Sequence, residues 1–462
     1  MTGASTGAPS GAPLGASVFA PGVRLLTIGM VLIVTLVAFE SMAVATVMPL
    51  VERDLGDLWL YGWVFTAFFL GNLVGAVIAG SAADRMRPAI AFAGGLALFS
   101  IGLVVGGTAG SMWVLVAGRA LQGLGAGAMP AISYVCIGRG YRPESRPRMF
   151  ALMSSAWVIP SVIGPAVAGI LGATVGWRWV FLGLLPLCGI IGLIALLGVR
   201  TIPAPDGATA PSNVLVAVRV ALGAGLLLAG LQAAHPLVAI AVIASGLAVL
   251  IPAFRRLTPP GTLRARPGLA ATVLVRGLLG FAFFAADAYV PFAITTVRGL
   301  SATVGGLALT AATFTWTIAS WLQARWVDRL GPRRLVIVGL LVIGGGSLSM
   351  LAVLVPSISA WIGLVSWAVA GFGIGLAYAP LSLVTLAVAT KGEEGRATAG
   401  LQLSDMLGTA LGTGVAGAVL TIAVRTIDSE RVGLLGIFVI AAAVAILGAR
   451  LARGVPAKVH PV

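Results

Sequence analysis

Long hydrophobic runs alternate with short polar loops along almost the whole chain. Each run is about as long as the roughly 20 residues that a helix needs to cross a hydrocarbon layer. Fourteen such runs lie at about 24–50, 59–82, 88–108, 112–138, 148–172, 178–199, 214–234, 236–254, 270–297, 301–324, 333–355, 358–389, 398–423 and 432–452. The pattern predicts fourteen membrane-spanning helices, and an even number places both ends of the chain on one side.

Basic residues are distributed unevenly between the two sides of this predicted topology. Twenty-one arginines and lysines fall in one set of alternate loops and the chain ends, and five fall in the other set. Cytoplasmic loops carry the excess of positive charge in membrane proteins. We therefore expect both termini in the cytoplasm. Arg219 and Arg276 lie near cytoplasmic ends of their spans, where long side chains can extend to the surface.

An internal repeat runs through the chain. Asp84-Arg85, between spans two and three, recurs as Asp328-Arg329 at an offset of 244 positions. The glycines of 123–127 recur at 371–375, and Gly164 and Gly169 recur at 412 and 417, at an offset of 248. Repeats of this size indicate duplicated structural units. The sequence therefore predicts an all-α membrane protein with two six-helix bundles related by pseudo-two-fold symmetry and two further spans inserted between them.

The domain boundaries follow from this arrangement. We predict a disordered cytoplasmic tail at 1–22, because this stretch is rich in Gly, Ala, Ser, Thr and Pro and nearly free of charge. The other predicted units are an N-terminal bundle at 23–199, a linker with two inserted spans at 200–269, a C-terminal bundle at 270–453 and a cytoplasmic tail at 454–462.

Composition excludes several classes of function. The 462-residue chain is 59% hydrophobic and only 9% charged, whereas soluble domains carry about 25% charged residues. The net charge of +15 resides in loops, so it does not indicate nucleic-acid binding. Cys136 and Cys188 lie within apolar runs, and the only histidines are His235 and His460. These positions indicate no catalytic or metal site, and we expect no enzyme activity and no cofactor.

Four charged residues lie inside predicted spans, namely Glu40, Arg119, Asp287 and Asp405. A charge at the bilayer centre costs a few kcal/mol or more, so such residues face the protein interior and are functional by default. Burial favours a neutral carboxyl group and a nearby arginine favours a charged one. An acid under both influences can exchange a proton, so we predict that these four residues couple transport to protons. The alternative is a structural pair, such as Glu40 with Arg119, that only holds helices together.

Several short motifs resemble those of the major facilitator superfamily, and more closely its fourteen-span drug:proton antiporter branch. The loop motif appears as Gly80, Asp84 and Arg85, with Arg87 and Pro88 where the family has glycine and a basic residue. The other motifs are Arg119, Gln122, Gly123 and Gly125 in span four, Gly164-Pro165 and Gly169 in span five, Trp177 to Phe181 after it, and Glu40 nine residues before Pro49 in span one.

The resemblance implies transport by two halves that rock about a midplane site. It implies a cytoplasmic latch at Gly80, Asp84, Arg85, Asp328 and Arg329. It also implies an antiporter motif at Gly164, Pro165 and Gly169, in which the proline bends span five.

A proton-driven exporter of amphipathic or lipophilic compounds is the predicted function. A permissive binding site is apolar and aromatic with few polar groups, and the candidates are Phe39, Gln122, Trp157, Phe283, Phe284, Tyr289, Trp316 and Gln402. The alternatives are export of one endogenous lipid or metabolite, and a membrane scaffold or sensor that transports nothing. We expect a functional monomer in a bacterial-type plasma (inner) membrane, with protons, lipid and a small-molecule substrate as partners and no nucleic acid.

Overall fold

Helices account for every regular element in the computed structural model, which describes residues 18–204, 213–390 and 393–458. Thirteen helical segments in these ranges are long and apolar enough to cross a membrane. The protein is therefore a multi-pass membrane protein. Most of the predicted N-terminal tail, residues 205–212 of the linker and the last four residues lie outside the described ranges.

The helices in chain order are α1 (Arg24–Leu55), α2 (Tyr61–Ala83), α3 (Pro88–Gly107), α4 (Met112–Gly140), α5 (Arg146–Ser155), α6 (Val158–Thr174), α7 (Arg178–Leu182), α8 (Leu184–Val199), α9 (Val214–Leu231), α10 (Pro236–Leu257), α11 (Leu269–Asp287), α12 (Val290–Phe292), α13 (Ala302–Leu330), α14 (Pro332–Ser349), α15 (Ile362–Val388), α16 (Glu394–Ile427) and α17 (Glu430–Leu451). Short 3-10 turns occur at Leu58–Leu60, Pro143–Ser145, Thr262–Arg264, Met350–Leu354 and Ala452–Gly454, and a π turn at Ala293–Val297.

Prolines and serines mark where several spans begin. Helices α3, α10 and α14 start at Pro88, Pro236 and Pro332. Proline suits a first helical position because its fixed φ is already helical and no hydrogen-bond donor is needed there. Helices α4 and α13 follow Ser111 and Ser301, whose hydroxyls accept hydrogen bonds from the backbone N–H three residues later. These caps satisfy amide groups that the helix itself leaves unpaired.

The predicted fifth span, 148–172, is not one continuous helix. It is divided into α5 and α6 at Ala156 and Trp157. Pro160 explains the break, because it lacks the N–H that would donate to the carbonyl of Ala156 and its ring crowds that carbonyl. Helix α6 continues through Pro165, which lies inside it, and the bend expected at Pro165 stays a prediction.

The predicted run 270–297 is also interrupted. Helix α11 ends at Asp287, and α12 and the π turn follow it. Pro291 has no N–H with which to bond the carbonyl of Asp287 four residues earlier, so the α-helical ladder cannot continue through this point. The interruption places the carboxyl group of Asp287 at the C-terminal end of a helix within the span.

The same pattern of neighbouring helices occurs twice. Helix α4 packs against α2 and α3, and α1 packs against α6 and α8. Later in the chain α15 packs against α13 and α14, and α11 packs against α16 and α17.

The repeated glycines contribute to these contacts. A side-chain carbon at Gly123 would collide with the carbonyl of Phe68 in α2, and one at Gly371 would collide with the carbonyl of Ala312 in α13. Phe68 and Ala312 are themselves 244 positions apart. Glycine thus allows equivalent backbones to approach closely in both parts of the chain.

Helices α9 and α10, the two spans predicted to be inserted, pack against each other. A side-chain carbon at Gly223 would lie 2.6 Å from the backbone nitrogen of Leu250, and one at Gly246 would lie 2.6 Å from that of Leu227. Helix α9 also packs against both α2 and α16, which come from the two parts of the repeat. The apolar cluster at this junction includes Leu73 of α2, Val220 of α9 and Leu407 of α16. The inserted pair therefore lies beside a place where the first and second parts of the chain meet.

Candidate functional site

Glu40 of α1 and Arg119 of α4 form a buried ion pair. The carboxyl group of Glu40 is wholly buried and the side chain of Arg119 is 2% exposed. Arg119 Nη1 donates to Glu40 Oε1 and, at 2.8 Å, to Gln122 Oε1, and the guanidinium lies 4.2 Å from the ring centre of Phe68. Oε2 of Glu40 has no hydrogen-bond partner among the described residues. The contact predicted between Glu40 and Arg119 is therefore confirmed.

A second buried pair joins Arg276 of α11 to Asp405 of α16, with Nη2 3.1 Å from Oδ2. The hydroxyl of Tyr378 in α15 donates a hydrogen bond to the same carboxyl oxygen at 2.8 Å. The centre of the Tyr378 ring lies 3.1 Å from the guanidinium carbon of Arg276. Arg276 also donates to the carbonyl of Tyr378 at 2.8 Å. The expectation that Arg276 extends toward the membrane surface is wrong, because its side chain is 1% exposed and reaches an acid in the interior.

Asp287 has a neutral partner. The indole Nε1 of Trp367 in α15 donates to Asp287 Oδ1 at 2.7 Å. Trp367 is fully buried, whereas Asp287 keeps partial exposure. Within residues 18–204, 213–390 and 393–458, no cationic side chain lies within ion-pair distance of Asp287.

Aromatic rings surround this end of α11. The ring of Phe283 stacks on Trp367 at 5.1 Å between centroids and meets Trp316 edge-on at 5.8 Å and Phe284 edge-on at 5.2 Å. Trp316 in turn lies 5.5 Å from Tyr378. The structure therefore brings together three of the predicted substrate-binding residues, Phe283, Phe284 and Trp316, next to Asp287.

The other predicted substrate-binding residues do not join this group. Gln122 is buried against Arg119, and Tyr289 is buried against Tyr61 at 5.1 Å between ring centroids. Phe39 and Gln402 are half-buried, and Trp157 is 43% exposed in the break between α5 and α6.

Side chains near the predicted outer ends of the spans connect the two parts of the repeat. Tyr61 donates its hydroxyl to the carbonyl of Ala288 at 3.3 Å, and Arg53 donates to the carbonyl of Thr295 at 3.1 Å. A side-chain carbon at Gly417 of α16 would lie only 2.9 Å from the Cα atom of Gly62 in α2. The backbones are therefore in close contact at this end.

The antiporter-motif residues lie where α6, from the first part of the repeat, packs against α13, from the second part. A side-chain carbon at Gly169 of α6 would lie 2.8 Å from the Cα atom of Thr303 in α13, and one at Gly306 would lie 2.9 Å from Cβ of Pro165. Gly164 instead faces Phe39 and Met42 of α1 at ordinary contact distance. Close packing of α6 on α13 therefore depends on small residues on both helices.

Comparison with known proteins identifies the family. The family model described as Major Facilitator Superfamily matches residues 30–361 and 272–461. The chain belongs to the major facilitator superfamily. The resemblance inferred from the motifs is thereby confirmed, and this member is a transporter of a family that moves small molecules rather than a typical enzyme.

Two relatives within the superfamily are named as multidrug transporters. The chain is 28% identical over 415 residues to a multidrug transporter protein of Bacillus subtilis (strain 168), covering 86% of this chain and 75% of the relative. It is 26% identical over 442 residues to a protein of Mycobacterium tuberculosis (strain ATCC 25618 / H37Rv) named as a probable multidrug-efflux transporter, covering 90% and 91%.

Solved structures of the superfamily share the fold. A bacterial homolog of the human lysosomal transporter Spinster, inward-facing and unoccupied, aligns with a TM-score of 0.65 at 16% identity over 93% of this chain and 98% of that chain. The human organic anion transporter MFSD10 aligns with a TM-score of 0.62 at 16% identity over 94% and 99%. At identities this low, the similarity shows only that the fold is shared.

The loop motif of this superfamily member lies at the ends of α2 and α13. Asp84 accepts a hydrogen bond from Arg139 Nη2 at 3.4 Å, and Arg139 Nη1 donates to the carbonyl of Ala83 at 3.1 Å. Gly80 has open space around it, so close packing does not require a glycine there. Arg85, Asp328 and Arg329 are exposed.

Three residues that contribute to these sites were missed at the level of sequence. They are Tyr378, Trp367 as a donor to Asp287, and Arg276 as the partner of Asp405. The internal repeat could have indicated the contact between Trp367 and Asp287. Asp287 lies 247 positions after Glu40, and Trp367 lies 248 positions after Arg119, the partner of Glu40. In the described part of the chain no group of three or more His, Cys, Asp or Glu side chains could hold a metal ion.

Proposed function

We propose that the protein exports amphipathic or lipophilic compounds in exchange for protons. The superfamily match and the relatives named as multidrug transporters support drug efflux. The buried pair of Glu40 and Arg119 supports proton coupling, because a proton on Glu40 removes the charge that compensates Arg119. The geometry that carries this proposal is the unpartnered Oε2 atom of a fully buried carboxyl group.

The energetics of one proton are sufficient for export. A charge that crosses a potential of roughly 150 mV releases about 3.5 kcal/mol. At about 1.4 kcal/mol for each factor of ten, this sustains a substrate gradient of a few hundred-fold.

We further propose fourteen spans, with α5 and α6 together forming the fifth, and two six-helix bundles with α9 and α10 inserted between them. The repeated pattern of helix neighbours supports the bundles. The excess of basic residues in one set of loops supports cytoplasmic termini in a plasma membrane.

The transport cycle that we propose is alternating access, with the outer ends of the bundles in contact in this state. Two hydrogen bonds support closure at the outer end, from Tyr61 to the carbonyl of Ala288 and from Arg53 to the carbonyl of Thr295. The close approach of Gly417 to Gly62 supports it as well. The cytoplasmic latch would be made and broken at Asp84, which here contacts Arg139 of its own half.

Transport in a reconstituted system tests the proposal. Purified protein in proteoliposomes with an imposed pH gradient should move a lipophilic fluorescent dye against its concentration gradient, and an uncoupler should abolish the movement. The matched control is the same preparation without protein, because lipophilic dyes cross bilayers unaided. Uphill dye transport that persists unchanged in the presence of an uncoupler would refute proton coupling.

A further inference from the structure

Helix α9 lies along the seam between α2 and α16, where the first and second parts of the chain meet. It packs against both of these helices. A side-chain carbon at Gly414 of α16 would lie 2.4 Å from Cδ1 of Leu228 in α9 and 2.9 Å from Oγ1 of Thr66 in α2. Leu228 is fully buried, so its side chain covers the seam at this depth.

Gln232 follows α9 at the predicted outer end and contacts the first part of the chain. Its side chain is buried, with 9% exposure. The nitrogen and oxygen of an amide are assigned from the hydrogen bonds that they make. In the orientation that satisfies both neighbours, the nitrogen donates to the carbonyl of Trp59 at 3.2 Å, and the oxygen accepts from Nε1 of Trp63 at 3.3 Å. The amide is therefore bonded to the turn before α2 and to α2 itself.

The backbone of the same residue is bonded to the second part of the chain. Arg425, in the last turn of α16, donates to the carbonyl of Gln232 at 3.1 Å. Gln232 therefore joins the two parts of the chain at the end where Gly62 and Gly417 also meet.

The other end of the α9–α10 pair is fixed to the second part of the chain. A side-chain carbon at Gly400 of α16 would lie 3.2 Å from the carbonyl oxygen of Leu257, the last residue of α10. The N–H of Gly268, just before α11, donates to the carbonyl of Gly454 after α17 at 2.9 Å. We therefore expect α9 and α10 to move with the second part when the two parts rotate relative to each other.

Opening of the outer end would then break the bonds of the Gln232 side chain. In alternating access the two halves rock against each other, so the outer ends of α2 and α16 separate. Arg425 would stay beside Gln232, whereas Trp59 and Trp63 would move away with the first part. Contacts that exist in only one of two states favour that state. The amide of Gln232 thus stabilises the state in which the outer end is closed.

We propose that Gln232 is a positioning residue that holds the outer ends closed through its amide bonds to Trp59 and Trp63. Helices α9 and α10 carry it across the seam as an arm of the second part of the chain. This inference rests on the proposed function, because the seam opens only if the protein works by alternating access. The two helices then set the balance between the outer-closed and outer-open states and bind no substrate.

The rate at which a cysteine at the seam reacts from the outside measures how often the outer end opens. Thr413 of α16 is 1% exposed, and its hydroxyl lies 3.3 Å from that of Thr66. Thr413→Cys therefore places a small thiol at the seam. The full-length protein, in right-side-out vesicles without an imposed pH gradient, is treated from the outside with a membrane-impermeant maleimide. The same protein without Thr413→Cys gives the background, since Cys136 and Cys188 are buried.

Gln232→Ala removes both bonds of the amide and should raise the reaction rate of the Thr413→Cys thiol about five- to tenfold. Trp63→Phe removes only the indole N–H and should raise the rate by about two- to threefold. The matched control is His235→Ala, because His235 lies in the same loop but is exposed. This control should leave the rate within about twofold. A rate in Gln232→Ala equal to that of the control overturns the proposal.

A second cysteine distinguishes opening at the seam from a general loosening of the protein. Ser347 of α14 is fully buried, and α14 packs against α15 and α17 within the second part of the chain. Ser347→Cys should react at the same rate with and without Gln232→Ala, and a rise equal to that at Thr413→Cys overturns the proposal. If Gln232→Ala does not elute as a folded species, Trp63→Phe replaces it, and a rate no higher than that of the His235→Ala control then overturns the proposal.

The labelling and the transport measurements can fail independently. Labelling of the seam that depends on Gln232, in a protein that shows no uncoupler-sensitive dye transport, refutes the proposed function and leaves the role of Gln232 intact. Uncoupler-sensitive transport with labelling that is indifferent to Gln232 refutes this role and leaves the function intact.

Discussion

Replacing Glu40 by glutamine tests whether the buried ion pair couples transport to protons or only holds α1 to α4. Both side chains are almost completely shielded from solvent, and breaking such a pair by neutralising one partner costs about 3–5 kcal/mol. Glutamine keeps an oxygen that can accept from Arg119, and the bonds of Arg119 to Gln122 Oε1 and the carbonyl of Val64 remain. We therefore expect a loss near the lower limit, about 3 kcal/mol.

The double variant Glu40→Gln with Arg119→Gln removes the orphaned charge. Replacing both partners of a buried pair is often neutral for stability. We expect the double variant to recover most of the stability lost in Glu40→Gln without recovering transport. Glu40→Asp keeps an exchangeable proton in the same place and should retain partial activity.

Three measurements on each variant decide the matter, namely thermal unfolding, binding of the lipophilic dye, and dye accumulation driven by a pH gradient in proteoliposomes. Proton coupling predicts a folded Glu40→Gln protein that binds the dye but moves it only down its gradient. A purely structural pair predicts that the double variant regains both stability and uphill transport. Uphill transport by folded Glu40→Gln would remove Glu40 from the mechanism.

Three further predictions concern the latch, the topology and the outer contact. Asp84→Asn should slow dye transport several-fold and leave binding unchanged, because contacts that differ between states shift their equilibrium, and transport at the wild-type rate would refute the latch. A cysteine label near Arg264 should react only from the cytoplasm, and labelling from outside would overturn the predicted topology. Gly417→Leu should hold α16 away from Gly62 and raise the labelling, from the outer side, of cysteines placed at this contact. The control is Gly345→Leu, which should not raise labelling because a side-chain carbon there meets only open space. Equal labelling in both variants would contradict closure at the outer end.

Local pattern was sufficient to predict the spans. Thirteen of the fourteen predicted runs correspond to helical segments long and apolar enough to cross a membrane, because hydrophobic length is a property of consecutive residues. The glycines of 123–127 and 371–375 were recognisable for a similar reason, since close helix packing requires small residues at fixed spacing. Pro160 also indicates a break in the helix at the level of sequence, but the apolar residues continue across it and suggested a single uninterrupted span.

The partners of Asp405 and Asp287 were decided only by the tertiary structure, whereas the pairing of Glu40 with Arg119 had been predicted from the sequence. Arg276 looked like a residue near a cytoplasmic end, yet Asp405 on a helix 129 positions away accepts its hydrogen bond. The indole N–H of Trp367 in α15 donates to Asp287 in α11, and no local pattern indicates this contact. Hydropathy measures how much a segment prefers lipid to water, but it contains no information about which helix lies beside which.

For helices α9 and α10, too, the sequence determined one property and the tertiary structure determined another. The sequence by itself determined that α9 and α10 are long and apolar enough to cross a membrane, because their composition and length meet that requirement. Only the folded chain determined that α9 lies against α2 and α16, where Val220 packs with Leu73 and Leu407. That choice depends on the shapes of surfaces assembled from residues more than 300 positions apart in the chain, and no local pattern encodes such complementarity.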